Sequence, residues 1–316
     1  MFYLLIFICF SLLINEYLLK KNILIDNLSF SKHKKLTYSN NNLPITGGYI
    51  LVIFFLVFEN DISLLSKLYL LIIFFSGALS DQLKNFSPNI RLSIHILISL
   101  AFIMENNILI LDTRINFLNN ILVDNEYISI IFTIFCLIVL VNGSNFIDGV
   151  NLNTIGYYLM VISSIIYLST VKNFTIDIDF LLKFFPILIF LLVLNFFNKT
   201  QLGDGGAYLL GFFIGFLLIN WVNLNNLVSP YFVILLLWYP CFENLFSIII
   251  KKYQNKKISM ADNLHLHQLI FLFFKKKKKY DVNNFTGFII CILNLPSFIL
   301  GTIYYDKTNI LLSIIL

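Results

Sequence analysis

Long apolar runs alternate with short polar breaks along nearly the whole chain. A helix needs about 20 mostly apolar residues to cross roughly 30 Å of hydrocarbon. Ten runs read as such helices, near 2–19, 46–60, 64–80, 92–110, 127–143, 153–171, 180–197, 206–222, 229–250 and 285–304. None shows the short apolar–polar alternation of a lipid-facing barrel strand, so the expected fold is all-α, a polytopic transmembrane helical bundle of about ten spans. The first run has neither a basic leading region nor a small-residue cleavage site and is read as a permanent helix. The tail 309–316 is too short to cross unless it joins the preceding segment in a re-entrant turn. The longest polar stretch, 251–284, is interrupted by apolar residues 269–274, and no repeat or linker divides the chain, so residues 1–316 are read as one domain.

Composition removes the alternatives. Hydrophobic residues make up 59% of the chain and charged ones 12%, against roughly 25% charged in a soluble domain. With 34 Phe and a mean hydropathy of +0.85, neither a soluble globule nor a disordered chain is tenable. Cys9, Cys136, Cys241 and Cys291 all lie within apolar runs and read as small hydrophobes. With the N-terminus outside, the loops 20–46, 81–91, 143–152, 198–205 and 251–284 hold 17 of the 22 Lys and Arg residues. The positive-inside rule therefore orients those loops to the cytoplasm. The net charge of +5 is then a property of one membrane face. Anionic headgroups account for it, at about 1 kcal/mol per basic residue, without a nucleic-acid partner. The run Lys275 to Lys279 reads as a membrane-surface anchor.

Acids near membrane helices are costly unless solvated or functional. Nine of the 17 acids, Glu59, Asp61, Glu105, Asp112, Asp124, Glu126, Asp177, Asp179 and Asp306, fall at outer loop positions, where solvated loop charge suffices. Asp81, Asp148 and Asp204 differ. Each sits at the cytoplasmic end of a span in a short segment rich in Gly and Asn: Gly77 to Lys84, Asn142-Gly143-Ser144-Asn145-Phe146-Ile147-Asp148-Gly149, and Leu202 to Tyr208 with Asn195 and Asn198 before it. Three carboxylates meeting at one face repel one another and call for a divalent cation. Mg²⁺, for which Mn²⁺ can stand in, takes one or two carboxylates and completes its shell with water and phosphate oxygens. That points to phosphoryl chemistry at the cytoplasmic surface.

Gly205 and Gly206 at the start of one span, and Gly47 and Gly48 at another, would let backbone N–H groups approach an anion. Close packing of membrane helices explains the same residues equally well. Two of the four His residues stand together in Asp262-Asn263-Leu264-His265-Leu266-His267-Gln268. Without Cys they make a thin zinc site, and as donors to a diphosphate in a basic loop they are better used. His33 lies in a Lys cluster and reads as solvated, and His95 as a helix–helix hydrogen bond.

Taken together, these segments resemble the polyprenyl-phosphate N-acetylhexosamine-1-phosphate transferases of glycosyltransferase family 4. The likeness runs from Pro44-Ile45-Thr46-Gly47-Gly48 through Asp81, Asn145 to Gly149 and Gly203 to Gly206, to His265-Leu266-His267. Gly203-Asp204-Gly205-Gly206-Ala207-Tyr208, Tyr239-Pro240 with Glu243, and Asp262 to His265 favour the O-antigen and surface-polysaccharide branch. The resemblance implies a bacterial inner-membrane enzyme that passes a sugar 1-phosphate from a UDP-sugar to undecaprenyl or another polyprenyl phosphate, releasing UMP. It implies Asp204 as the Mg²⁺ ligand, with Asp81 and Asp148 as metal or lipid-phosphate partners. Asn142, Asn145 and Asn198 would orient phosphate or nucleotide, and His265 and His267 would hold the diphosphate. The family usually carries an Asp pair after its third span, and here Ser80 takes the first place; a further His is commonly found where this chain has Gln268. A catalytically inactive relative and a lipid-linked-sugar transporter are the competing readings. A transporter would place its polar groups near the bilayer midplane.

Overall fold

The computed structural model describes residues 2–25, 43–83, 86–256, 265–277 and 281–316. Their regular structure is helical: α1 Phe2–Lys21, α2 Thr46–Phe58, α3 Leu64–Gln82, α4 Pro88–Asn106, α5 Asn116–Asp124, α6 Glu126–Ile147, α7 Asn153–Lys172, α8 Ile178–Phe196, α9 Gly203–Leu224, α10 Pro230–Leu236, α11 Trp238–Tyr253, α12 Leu266–Lys275, α13 Val282–Ile303 and α14 Thr308–Ile315. Side chains of Ser63, Ser87, Asn125, Asp177, Ser229 and Asp281 accept first-turn N–H groups of α3, α4, α6, α8, α10 and α13, which fixes where these helices begin.

Eight of these helices are long and apolar enough to cross a membrane, and α10 with α11 makes a ninth if counted as one span bent by 73°. The protein is a multi-pass membrane protein. The run expected to cross from residue 46 becomes α2, whose 13 residues rise only about 20 Å. The break between α10 and α11 follows from Pro240, which has no N–H for the Leu236 carbonyl. The buried Tyr157 hydroxyl donates to that carbonyl instead, at 2.7 Å. The tail is a short helix, α14, folded back on α10, with the Ser229 and Thr308 hydroxyls 2.9 Å apart and Leu311 buried.

Helix α9 lies at the centre, buried nearly all round, as expected for a helix apolar on every face. Small residues let its neighbours approach closely. A Cβ on Gly205 would lie 2.6 Å from the Phe74 carbonyl oxygen of α3, and one on Gly206 would lie 2.7 Å from the Gly48 Cα of α2. Gly211 rests on Ser144 of α6, and Gly215 on Leu137 of the same helix. At the end remote from Asp81 and Asp204, Phe54 and Phe55 of α2, Phe180 and Phe184 of α8, and Phe213 of α9 form an aromatic core, with Phe55 and Phe213 centroids 4.2 Å apart.

Glu59, just past α2, is not the solvated loop charge expected of it; its side chain is buried, and carboxylate oxygens of Glu59, Asp61 and Asp177 lie within 4.8 Å of one another. Burial, reinforced by the two neighbouring acids, raises the Glu59 pKa from 4.5 to about 7, against the opposing Asp61 N–H and Lys67. A raised carboxyl pKa means that the native state binds the extra proton. This stabilisation is present below about pH 4.5 and is lost as pH rises through about 7. The thermal midpoint in detergent is expected to fall across that window and to stay flatter in Glu59→Gln; equal slopes for the two proteins would contradict this.

Candidate active site

The α3 end, the α9 start and the first turn of α4 meet at one point. Gly203 turns the chain into α9 at φ +73°, a backbone conformation that glycine adopts without steric cost. A Cβ there would also press 2.9 Å from Asp81 Oδ2. The same Asp81 oxygen accepts the Asp204 N–H at 2.9 Å, so a buried carboxylate caps the positive end of the central helix. Asp204 turns its own carboxylate toward α3 and α4. The Ser80 hydroxyl donates to Asp204 Oδ2 at 2.7 Å, and Arg91 Nη1 stands 3.1 Å from Ser80 Oγ, 3.2 Å from Asp204 Oδ2 and 2.9 Å from the Tyr208 hydroxyl. Asn145 Nδ2 donates to that hydroxyl at 3.1 Å, which ties α6 to the cluster one turn before Asp148. His95, one turn after Arg91, packs its ring edge-on to Tyr208 at 4.6 Å and bonds Ser76 Oγ at 2.8 Å, the helix–helix contact expected of it.

A second group closes the same end. Glu243 of α11 is buried; its Oε2 lies 2.9 Å from His265 Nδ1, and its Oε1 accepts the Leu266 N–H at 2.8 Å. A carboxylate beside Nδ1 assigns that nitrogen as the donor and fixes the ring. The His265 ring stacks with His267 at 5.7 Å and lies tilted by 34° against Phe146 at 4.9 Å. His267 packs directly against Gly149, the residue after Asp148, leaving no room there for a side chain. Lys251, also buried, holds its ammonium 5.9 Å from the Phe146 ring centroid. Asp81, Asp204 and Asn145 thus belong to one connected group, and His265 and His267 to a second that packs on Phe146 and Gly149, the residues on either side of Ile147 and Asp148.

The sequence profile of glycosyl transferase family 4 matches residues 63–222, just over half of the chain and including Ser80, Asp81, Arg91, Asn145, Asp148 and Asp204. The chain belongs to glycosyl transferase family 4. It is therefore a membrane transferase of sugar phosphate onto polyprenyl phosphate, as that family is. No curated protein matches it. The family match ends before Glu243, His265 and His267, which join the site through the packing of α11 and α12 alone.

Several site residues expected from the sequence have other work in this family 4 fold. Gly47 and Gly48 donate their N–H groups to the carbonyls of Gln201 and Leu202, at 3.0 and 3.1 Å. With Gly205 and Gly206 pressed on facing backbone, the four glycines form a helix-packing seam and not an anion cradle. Asn198 accepts from Asn151 Nδ2 at 2.7 Å, and the same nitrogen bonds Asn284 at 2.8 Å. Asn198 therefore belongs to a lock joining the α6–α7 turn to α13. Asn142 donates to the Ile138 carbonyl of its own helix. Asp81, Asp148 and Asp204 do not close into a three-carboxylate cage; among the described residues the group that does is Glu59, Asp61 and Asp177 at the other end. Mg²⁺ does not require a cage and can be held by a single carboxylate together with substrate phosphate oxygens, a set that Asp204 suits. Asp262 and His33 lie outside the described residues.

Arg91 is the site residue that sequence reasoning missed, and Tyr208 and Glu243 entered it only as motif residues without a role in the site. Arg91 counted only as one of the loop cations, although its position three residues into a helix opened by Ser87-Pro88 marks it as part of an ordered turn.

Proposed function

We propose that this family 4 enzyme transfers N-acetylhexosamine 1-phosphate from a UDP-sugar to a polyprenyl phosphate such as undecaprenyl phosphate. The reaction would occur at the cytoplasmic face of a bacterial inner membrane, with Mg²⁺, and would begin a cell-envelope polysaccharide. The observation that carries this reading is the convergence of Ser80, Asp81, Arg91, Asn145 and Asp204 at the start of α9. An oxygen of the lipid phosphate attacks the β-phosphorus of the UDP-sugar, and the bond from that phosphorus to the bridging oxygen breaks. UMP leaves with the electron pair, and the lipid diphosphate sugar remains. The attacking phosphate is already ionised near neutral pH, so the step needs no strong base, and the absence of a first Asp at Ser80 is tolerable.

Asp204 would hold Mg²⁺, which when bound neutralises charge on the phosphate oxygens. Arg91 and the Ser80 hydroxyl orient the Asp204 carboxylate. Arg91 and Lys251 add positive charge where the anionic substrates meet, and His265 and His267 would hold the diphosphate. Ser80→Ala removes one hydrogen bond of about 1 kcal/mol and is expected to lower turnover by about tenfold or less. A complete loss, measured as UMP release, would mean that the hydroxyl takes part in the chemistry.

The test of the whole reading is to incubate detergent-purified protein with Mg²⁺, polyprenyl phosphate and a panel of UDP-N-acetylhexosamines. UMP and a lipid-linked sugar diphosphate should appear together with one donor. Their absence with every donor would favour the inactive-relative reading.

A further inference from the structure

Helix α12 exposes more apolar surface than a helix bathed in water would. It buries His267 and Gln268, at 2% and 4% exposure, together with Phe271, and shows Leu269, Leu272 and Phe273, at 47%, 36% and 53%. Its ten residues reach about 15 Å, too short to cross a bilayer, and Phe274 packs edge-on to Phe285 in the first turn of the long apolar helix α13 at 4.9 Å. The apolar face thus sits where a membrane-spanning helix leaves its hydrocarbon. Exposed Lys275, Lys276 and Lys277 follow at the C-terminal end, and the Lys277 ammonium stands 4.3 Å over the Phe273 ring. An apolar face with ammonium groups along its border matches an acyl layer beneath anionic headgroups.

We propose that α12 lies in the headgroup layer of the leaflet on the lysine-rich side, and that anionic phospholipid seated against Leu269, Leu272, Phe273 and Lys275 to Lys277 holds His265 and His267 in register with the site. The coupling is mechanical. His265 is the N-cap residue of α12 and bonds Glu243 at 2.9 Å, its N–H bonds Gln268 Oε1 at 3.3 Å, and His267 packs on Gly149. A tilt of α12 out of the leaflet would draw both imidazoles away from α6 and α11. This second half rests on the proposed role of the histidines; the seating does not.

The test uses the full chain in nanodiscs of phosphatidylcholine with or without phosphatidylglycerol, with Cys9, Cys136, Cys241 and Cys291 replaced by Ser. Nitroxides are placed at Leu272→Cys and, as an aqueous control, at Asn255→Cys. The label at 272 should collide with oxygen more than with a water-soluble nickel complex, and the label at 255 the reverse. Equal nickel access at both positions overturns the seating, as does dipolar broadening at 272 from a second copy. In wild type, phosphatidylglycerol should lower the KM for the UDP-sugar severalfold, and the triple variant Lys275→Gln, Lys276→Gln, Lys277→Gln should lose that response. A buried label with a KM indifferent to lipid charge overturns the coupling. Loss of transfer under all conditions would instead count against the proposed function, with the label data still deciding the seating.

Discussion

Asp204→Asn is expected to reduce sugar-phosphate transfer by about a thousandfold, the scale associated with removing a group that stabilises transition-state charge, while the protein stays folded in the membrane. The substitution keeps the size of the side chain, and its amide oxygen can still accept from Ser80 and Arg91, although the ion pair with Arg91 becomes a neutral hydrogen bond. The Asp204 N–H also keeps its bond to Asp81, so the start of α9 survives. What is lost is one negative charge, and with it the attraction for a divalent cation. The check is UMP release alongside thermal unfolding of the same preparation. Turnover within a factor of a few of wild type would remove Asp204 from the metal site, and joint loss of turnover and fold would make its role structural.

Gly205→Ala is expected to act in the opposite way, through stability. Its new methyl would lie 2.6 Å from the Phe74 carbonyl oxygen and 2.9 Å from the Ala78 nitrogen. Those are backbone atoms of α3 and cannot swing aside as a side chain can. Overpacking of this kind costs about 1–3 kcal/mol and at times more, and the whole α3–α9 contact would have to open, so a cost at or above the top of that range is expected. The protein should lose a large part of its thermal stability, with transfer by the surviving folded fraction close to normal. An unchanged midpoint with a raised KM for the donor would restore the anion-cradle reading of this glycine pair.

The two variants mark what the sequence reveals and what it hides. Hydrocarbon thickness dictates the length of an apolar run, so the spans were legible, and the family resemblance placed Asp81, Asp148 and Asp204 at one end. Boundaries set by tertiary packing were not legible. The run from residue 46 stops as a helix at Phe58, ahead of a buried Glu59, and the turn at Pro240 separates α10 from α11 once Tyr157 satisfies the freed carbonyl. In α12 His267 and Gln268 face inward with Phe271 while Leu269, Leu272 and Phe273 face outward, which reads from the sequence as a polar loop broken by chance. Gly48 and Gly206 carry the same signal whether they cradle a phosphate or touch one another, and only the contact between α2 and α9 decides. Glu243 was visible as a motif residue, but its bond to His265 spans 22 residues, with no periodic pattern to connect the two ends.

The most direct measurement is an EPR titration of Mn²⁺ against the purified protein with UDP-sugar present, comparing wild type, Asp204→Asn and Asp61→Asn. The two variants remove an acid from opposite ends of the bundle, and the second disrupts the tightest acid cluster among the described residues. One bound Mn²⁺ per chain, lost in Asp204→Asn and retained in Asp61→Asn, is the expected result. Retention in Asp204→Asn with loss in Asp61→Asn would place the cation at the wrong end of the molecule and contradict the site described above.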